Sequence, residues 1–234
     1  MTNNQVSNIS RRSFLTSSAF AATAFLLAPK EFFAKDKAVS ISGLVQQARK
    51  DAASAAITIQ KLRGNVSVLL GGGGNIAVLP GRDGKLLIDA GYAGARPKIT
   101  EALATVSDDP ISRLINSHWH FDHTDGNAWL HQAGATILAH ENTRRHLSNS
   151  TRVKGWDFTF PPAPADALPA EVFASDHTLE INSEKITLKH YGPAHTDSDI
   201  YAHFMNADII HVADTFWNGY YPFIDYSTGG ALTE

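Results

Sequence analysis

The sequence predicts an α/β fold, and two observations carry the prediction. Short apolar runs bounded by Gly, Pro, Asn and Asp alternate along the chain with segments whose apolar residues recur at helical spacing. One such run, Ile111-Ser112-Arg113-Leu114-Ile115, leads directly into His118-Trp119-His120-Phe121-Asp122-His123, which places four potential metal ligands within six residues. If the run is a strand, His118 and His120 point the same way, as alternate residues of an extended segment do.

Taken in order, residues 1–34 read as a targeting segment. Ser10-Arg11-Arg12-Ser13-Phe14-Leu15 resembles a twin-arginine export signal, and the apolar stretch from Phe14 to Leu27 is too short for a membrane span, which needs about 20 apolar residues. Ala34 is a candidate cleavage position, but Phe32 is bulkier than the small residue usual there, which leaves an uncleaved anchor as the alternative. The second unit, residues 35–234, is expected to form one domain. Its first element is an amphipathic helix over Val39 to Ala53, with Ile41, Leu44, Val45, Ala48 and Ala52 on one stripe.

Ile57 to Leu62, Val66 to Leu70 and Asn75 to Leu79 predict short strands. The run Gly71 to Gly74 joins two of them and is followed by no Lys-Ser or Lys-Thr, so it reads as a flexible hairpin loop and not a phosphate cradle. Lys85 to Asp89 predicts a buried strand, with Asp89 placed at its end to orient a metal-bound imidazole or to cap a turn. Arg96 to Val106 predicts a helix with Pro97 in its first turn.

After His123, Thr124 or Asp125 is expected to cap a helix running to Gln132 that Gly134 ends. A strand over Thr136 to Ala139 and a helix over Glu141 to Leu147 follow. The Pro- and aromatic-rich segment Ser148 to Ala170 is long for a connection and is expected across the site mouth, with Trp156, Phe158 and Phe160 as an apolar wall. His177 to Ile181 and Glu184 to Tyr191 predict a hairpin about Asn182-Ser183. Ile200 to Met205 and Asp208 to Ala213 predict the next pair, with Asp214 at its end.

Composition narrows the function classes. A net charge of −3 without a basic stripe outside the N-terminus gives no footprint for nucleic acid or a polyanionic substrate. The absence of cysteine excludes disulfides, thiolate ligands and a cysteine nucleophile, so any metal is held by nitrogen and oxygen. Of the 11 histidines, His131, His140, His146, His203 and His211 lie in or beside predicted helices and strands and are read as non-ligands.

The motif His-x-His-x-Asp-His resembles the signature of the metallo-β-lactamase superfamily. Three further stretches resemble that family's motifs in the same order: Leu86-Leu87-Ile88-Asp89-Ala90-Gly91, Gly192-Pro193-Ala194-His195-Thr196 and Ile209-Ile210-His211-Val212-Ala213-Asp214. The resemblance implies a four-layered αββα sandwich with one or two zinc ions at the sheet edges. It implies that His118, His120 and His195 hold a first metal and Asp122 and His123 a second, with Asp214 between them. Asp214 stands where the best-known zinc β-lactamases carry a cysteine, which points to comparison with glyoxalase II-type and lactone-hydrolysing members.

The activity so implied is an exported, periplasmic hydrolase of small molecules. A metal-bound hydroxide would attack the carbonyl of an ester, thioester, lactone or lactam, with Asp122 orienting or accepting the proton. Membrane contact is expected only through an uncleaved signal. The family supplies one more His to the second metal after its last crossover helix, and none follows Asp214. The sequence is therefore read either as a shortened product or as one whose second metal has three protein ligands plus water. Two rival readings keep the same residues: a non-catalytic metal-binding accessory protein, and an iron-dependent oxidoreductase of the superfamily.

Overall fold

The computed structural model describes residues 43–232, so the twin-arginine segment lies outside the described residues. The amphipathic helix is α1 (Leu44–Ser54), whose buried face includes Val45 and Ala52. A seven-stranded mixed sheet follows. Strands β1 (Thr58–Lys61), β2 (Ser67–Leu70), β3 (Ile76–Leu79) and β4 (Lys85–Ile88) form an antiparallel meander. From β4 the sheet continues in parallel through β5 (Ile111–Asn116), β6 (Thr136–His140) and β9 (Glu171–Phe173).

Parallel pairing needs crossovers, and α2 (Arg96–Val106) supplies the one between β4 and β5. Every residue of β3 and β4 is buried, as expected of strands covered on both faces. On one face, Leu87 and Leu114 pack against Ile99 and Leu103 of α2 and against Trp129 and Leu130. On the other, Leu86, Ile88, Ile115 and Leu138 meet Ile186, Leu188, Ala202 and Phe204 of a second sheet.

That second sheet is antiparallel: β10 (Asp176–Ile181), β11 (Glu184–Lys189), β12 (Tyr201–Phe204) and β13 (Ile209–His211). Asn182 and Ser183 both take positive φ, 54° and 62°, as a two-residue hairpin turn matched to strand twist requires. The result is an α/β sandwich with helices against the seven-stranded sheet. A helical layer over the outer face of the four-stranded sheet is not among the described residues, and Met205 and Ile210 are exposed.

Three local expectations need correction. The helix after the His-rich motif begins inside it, as α3 (Phe121–Thr124), and resumes only at α4 (Asn127–Gln132). Neither Thr124 nor Asp125 caps it: the Thr124 hydroxyl donates to the Trp119 and His120 carbonyls, and Asp125 pairs with Arg49. The break falls at Gly126, whose N–H donates to Gly91 O (3.0 Å) and whose missing side chain lets the turn press on Ala90.

The segment after α5 (Glu141–Ser148) is not irregular; β7 (Thr151–Val153) and β8 (Phe158–Phe160) make a small hairpin. Finally, the stretch after β13 forms short turns, including single-turn helices at Ala213–Thr215 and Tyr226–Thr228.

Candidate metal centre

The parallel pairing of β4 and β5 brings two loops to one rim of the sandwich. Asp89 leaves β4 with φ 70°, a left-handed conformation that Asp tolerates better than most residues. Its N–H donates to Ile115 O at 2.8 Å, which fixes it beside the strand that delivers the histidines. Asp89 Oδ1 accepts from the Ser117 N–H (2.7 Å), and Oδ2 accepts from the Ser117 hydroxyl and from His123 Nδ1 (both 2.7 Å). Ser117 Oγ stands 3.1 Å from His118 Nδ1. One buried carboxylate thus orients His123 directly and His118 through a hydroxyl, as the sequence reading of Asp89 expected.

His195 arrives from the other sheet, on the loop between β11 and β12. Asp199 fixes that loop by accepting from the Thr196 N–H (2.7 Å) and hydroxyl (3.0 Å), and Ile200 N donates to Ser117 O (2.9 Å). His195 Nε2 then lies 2.8 Å from His120 Nδ1. Ligating atoms of His118, His120 and His195 all fall within 4.8 Å of one another, and so do those of His118, His123 and Asp214.

His123 Nε2 is 3.2 Å from Asp214 Oδ1 and 3.5 Å from Asp122 Oδ2. Asp122 belongs to neither three-residue group; it stands at the edge, a quarter exposed. The five histidines read as non-ligands lie outside both groups. Of these, His131 faces Ala135 O, His140 faces Ala174 O, His146 faces Asp197, and His211 Nε2 faces Asn75 O.

The donor set suits a divalent cation. His118 Nε2 is buried without a hydrogen-bond partner among the described residues, and buried polar atoms are rarely left so; His123 Nε2 faces only the carboxylates of Asp214 and Asp122. Burial, reinforced by the neighbouring imidazoles, holds His118 well below the ordinary histidine pKa. Burial also lowers His120 to about 4, against the opposing hydrogen bond from Asp225. Both rings are therefore neutral, the form in which imidazole binds metal. His123 is the opposite case: burial would lower it, but Asp122, Asp89 and Asp214 together raise it well above its ordinary value. Asp214 is held low by His123 despite burial. The three carboxylates around His123 give that side of the site a negative potential that suits a cation.

Two contributors went unread in the sequence. Asp225 Oδ2 accepts from His120 Nε2 (3.1 Å), and the Phe223 carbonyl accepts from His195 Nδ1. No local pattern in Tyr221-Pro222-Phe223-Ile224-Asp225 announces either contact; the pair Gly229-Gly230 was the available signal. Trp156 does reach the site as expected: its ring lies 4.7 Å from that of His120 and stacks on Phe223 at 5.6 Å. The cavity at the site holds about 550 Å³ and is lined by Tyr92, Phe121, Trp156, Trp217 and Phe223 among others.

The run Gly71 to Gly74 is explained here as well. Gly74 N donates to Asp122 O (3.0 Å), and a side chain at Gly74 would overlap the His123 ring.

Comparison with solved structures places this geometry. MEM-A1, a subclass B3 metallo-β-lactamase isolated from a soil metagenome library, matches with a TM-score of 0.53 and 22% identity over 64% of this chain and 58% of that one. BJP-1, a subclass B3 metallo-β-lactamase of Bradyrhizobium japonicum, matches with a TM-score of 0.55 and 21% identity over 65% and 58%. A B3 metallo-β-lactamase with an active-site glutamic acid matches with a TM-score of 0.56 and 22% identity over 76% and 68%. The chain spans less than two thirds of the first two, and at these identities the likeness is one of fold. The family model of the metallo-β-lactamase superfamily matches residues 69–234, most of the chain, and with the four motifs gathered at one rim the protein belongs to that superfamily.

Proposed function

We propose that the protein is a zinc-dependent hydrolase, exported to the periplasm by its twin-arginine segment, that acts on the carbonyl of a small ester, thioester, lactone or lactam. One observation carries the reading: imidazoles and carboxylates from three distant segments converge on one rim, and the inward nitrogen of His118 there is buried with no hydrogen-bond partner among the described residues. His118, His120 and His195 would hold a first zinc. His123 and Asp122 would hold a second, with Asp214 between the two, the arrangement of the Asp-bridged, glyoxalase II and lactonase-like type. Bound there, zinc supplies a water of lowered pKa and a Lewis acid for the substrate carbonyl.

The chain's own residues do the rest. Asp89 keeps His123 turned inward by accepting from its Nδ1, and Ser117, held by Asp89, does the same for His118. Asp122, beside His123 at the cavity edge, would orient a water held there or accept its proton. Trp156 and Phe223 close one wall with apolar surface and limit bulk water.

Metal analysis of the purified protein, followed by nitrocefin, thioester and lactone substrates, tests the proposal. One or two zinc ions per chain and turnover of at least one substrate are expected, and His120→Ala should remove the first zinc and nearly all turnover. Full zinc and full rate in His120→Ala would sink the assignment. Export is tested separately: Arg11→Lys with Arg12→Lys should leave the protein in the cytoplasm of a bacterial host.

A further inference from the structure

The segment after Asp214 does more than cover the site. Asp225 is buried, 1% exposed, and its carboxylate is pinned by its own turn: the Thr228 hydroxyl donates to Oδ2 (2.6 Å), and the Ser227 N–H (3.1 Å) and hydroxyl donate to Oδ1. Thr228 Oγ1 in turn accepts from Trp119 Nε1 (3.3 Å), inside the His-rich motif. The turn is docked on the His195 loop by three backbone bonds: Asp225 N to His195 O (2.8 Å), Asp197 N to Thr228 O (3.2 Å) and Ala231 N to Ala194 O (2.9 Å). Gly230 permits that approach, because a side chain there would overlap the His195 carbonyl.

From this platform two acceptors reach the histidines. Asp225 Oδ2 takes the Nε2 hydrogen of His120, and the Phe223 carbonyl takes the Nδ1 hydrogen of His195. Each bond makes the outward nitrogen a donor, and the opposite nitrogens, His120 Nδ1 and His195 Nε2, face each other at hydrogen-bond distance, 2.8 Å, where a cation would take both lone pairs in place of a shared proton. We propose that the turn Phe223–Gly230 is a positioning element of the first metal site, holding His120 as its Nδ1 donor and His195 as its Nε2 donor.

The inference rests on the zinc reading above, but part of its test does not. In metal-free protein, long-range ¹H–¹⁵N spectra should show His120 protonated at Nε2 in the wild type and a mixture of tautomers in Asp225→Ala. In chelator competition, Asp225→Ala should weaken the first zinc by about 10–100-fold, as loss of a ligand's hydrogen-bond partner does elsewhere. Asp225→Asn, which keeps an acceptor oxygen, should fall between, and Gly230→Ala should weaken zinc by displacing the whole turn.

Wild-type zinc affinity with an unchanged His120 tautomer in Asp225→Ala would overturn the proposal. Weaker zinc with the tautomer unchanged would overturn it too, since the turn would then act through packing alone. If Asp225→Ala does not fold, Asp225→Asn and Gly230→Ala carry both measurements. A wild type that binds no zinc would defeat the zinc reading, and the tautomer comparison would still decide the role of the turn.

Discussion

Two carboxylates flank the histidine cluster from opposite sides, and the chain builds them in different ways. Asp89 ends a central strand, is fully buried, and accepts three hydrogen bonds, two of them from Ser117 of the adjoining strand end. Asp225 sits on a turn of the returning tail and is held mainly by Ser227 and Thr228, its own neighbours. Each occupies the outward nitrogen of a histidine: Asp89 that of His123, Asp225 that of His120. The difference teaches that ligand orientation can be built into the core of a sandwich or clasped on by a returning turn, and that the first ties the site more closely to the stability of the fold.

Asp89→Ala should therefore have the largest effect. It strands the Ser117 N–H and hydroxyl and removes the partner of His123, and an alanine at φ 70° is strained besides. Breaking a buried pair of this kind costs about 3–5 kcal/mol, so urea denaturation should show a protein close to its stability limit. Asp225→Ala should cost less, about 1–2 kcal/mol on the same scale, because most of the hydrogen bonds it strands belong to its own turn at Ser227 and Thr228. Equal losses at the two positions would break the comparison.

The pH dependence of metal-free protein separates the two sides next. The pKa of His120, lowered from 6.5 to about 4, means that the folded state resists a proton the unfolded chain accepts. That contribution is complete above pH 6.5 and is lost as pH falls towards 4, at a cost of about 3 kcal/mol. His118, also lowered, adds to the same acid limb. His123, on the Asp89 side, has the opposite sign: its raised pKa stabilises the fold at low pH and ceases to do so as pH climbs through the raised value. Thermal unfolding from pH 4 to 9 should show stability rising from the acid end to neutrality and falling again at the alkaline end. Saturating zinc should flatten the acid limb until the ligands protonate.

Gly74→Ala sharpens the comparison further. A methyl there would overlap the His123 ring, so under the zinc proposal any second ion should be weakened or lost with the first site retained. Loss of both ions together would show that the two sides are not separable.

The same division explains how much was legible. The ligands of the Asp89 side lie in runs where a strand ends and a motif begins, so the local period of 2 and the contiguous His118–His123 cluster reveal them. Strand and helix existence followed from the same periodicity, and α2 was bounded correctly because Pro97 and Asp108-Asp109-Pro110 punctuate it. The break at Gly126 was not readable, because it depends on Ala90 and Gly91 pressing from the loop after β4, about 35 residues earlier. Asp225 was not readable either: its partner is 105 positions away, and its neighbours Ser227 and Thr228 look like any polar turn. The clasp is tertiary, and single-sequence patterns do not encode tertiary contacts.

The smallest expected effect tests whether orientation is confined to these two carboxylates. Arg49 of α1 makes a two-pronged contact with Asp125, 2.6 and 2.7 Å, immediately beyond the His-rich motif, and its guanidinium lies 5.3 Å from the centre of the Phe121 ring. The side chain is 40% exposed, so solvent screens the pair and Arg49→Ala should cost only about 1 kcal/mol. Asp125 touches no ligand side chain; its backbone N–H donates to Phe121 O, and its carboxylate faces α1. Zinc affinity measured by chelator competition should accordingly stay within about twofold of wild type, since no outward imidazole nitrogen loses its acceptor. A tenfold loss would mean that the turn carrying His120 and His123 is held in register from α1 as well, and the two-sided account of the site would need a third support.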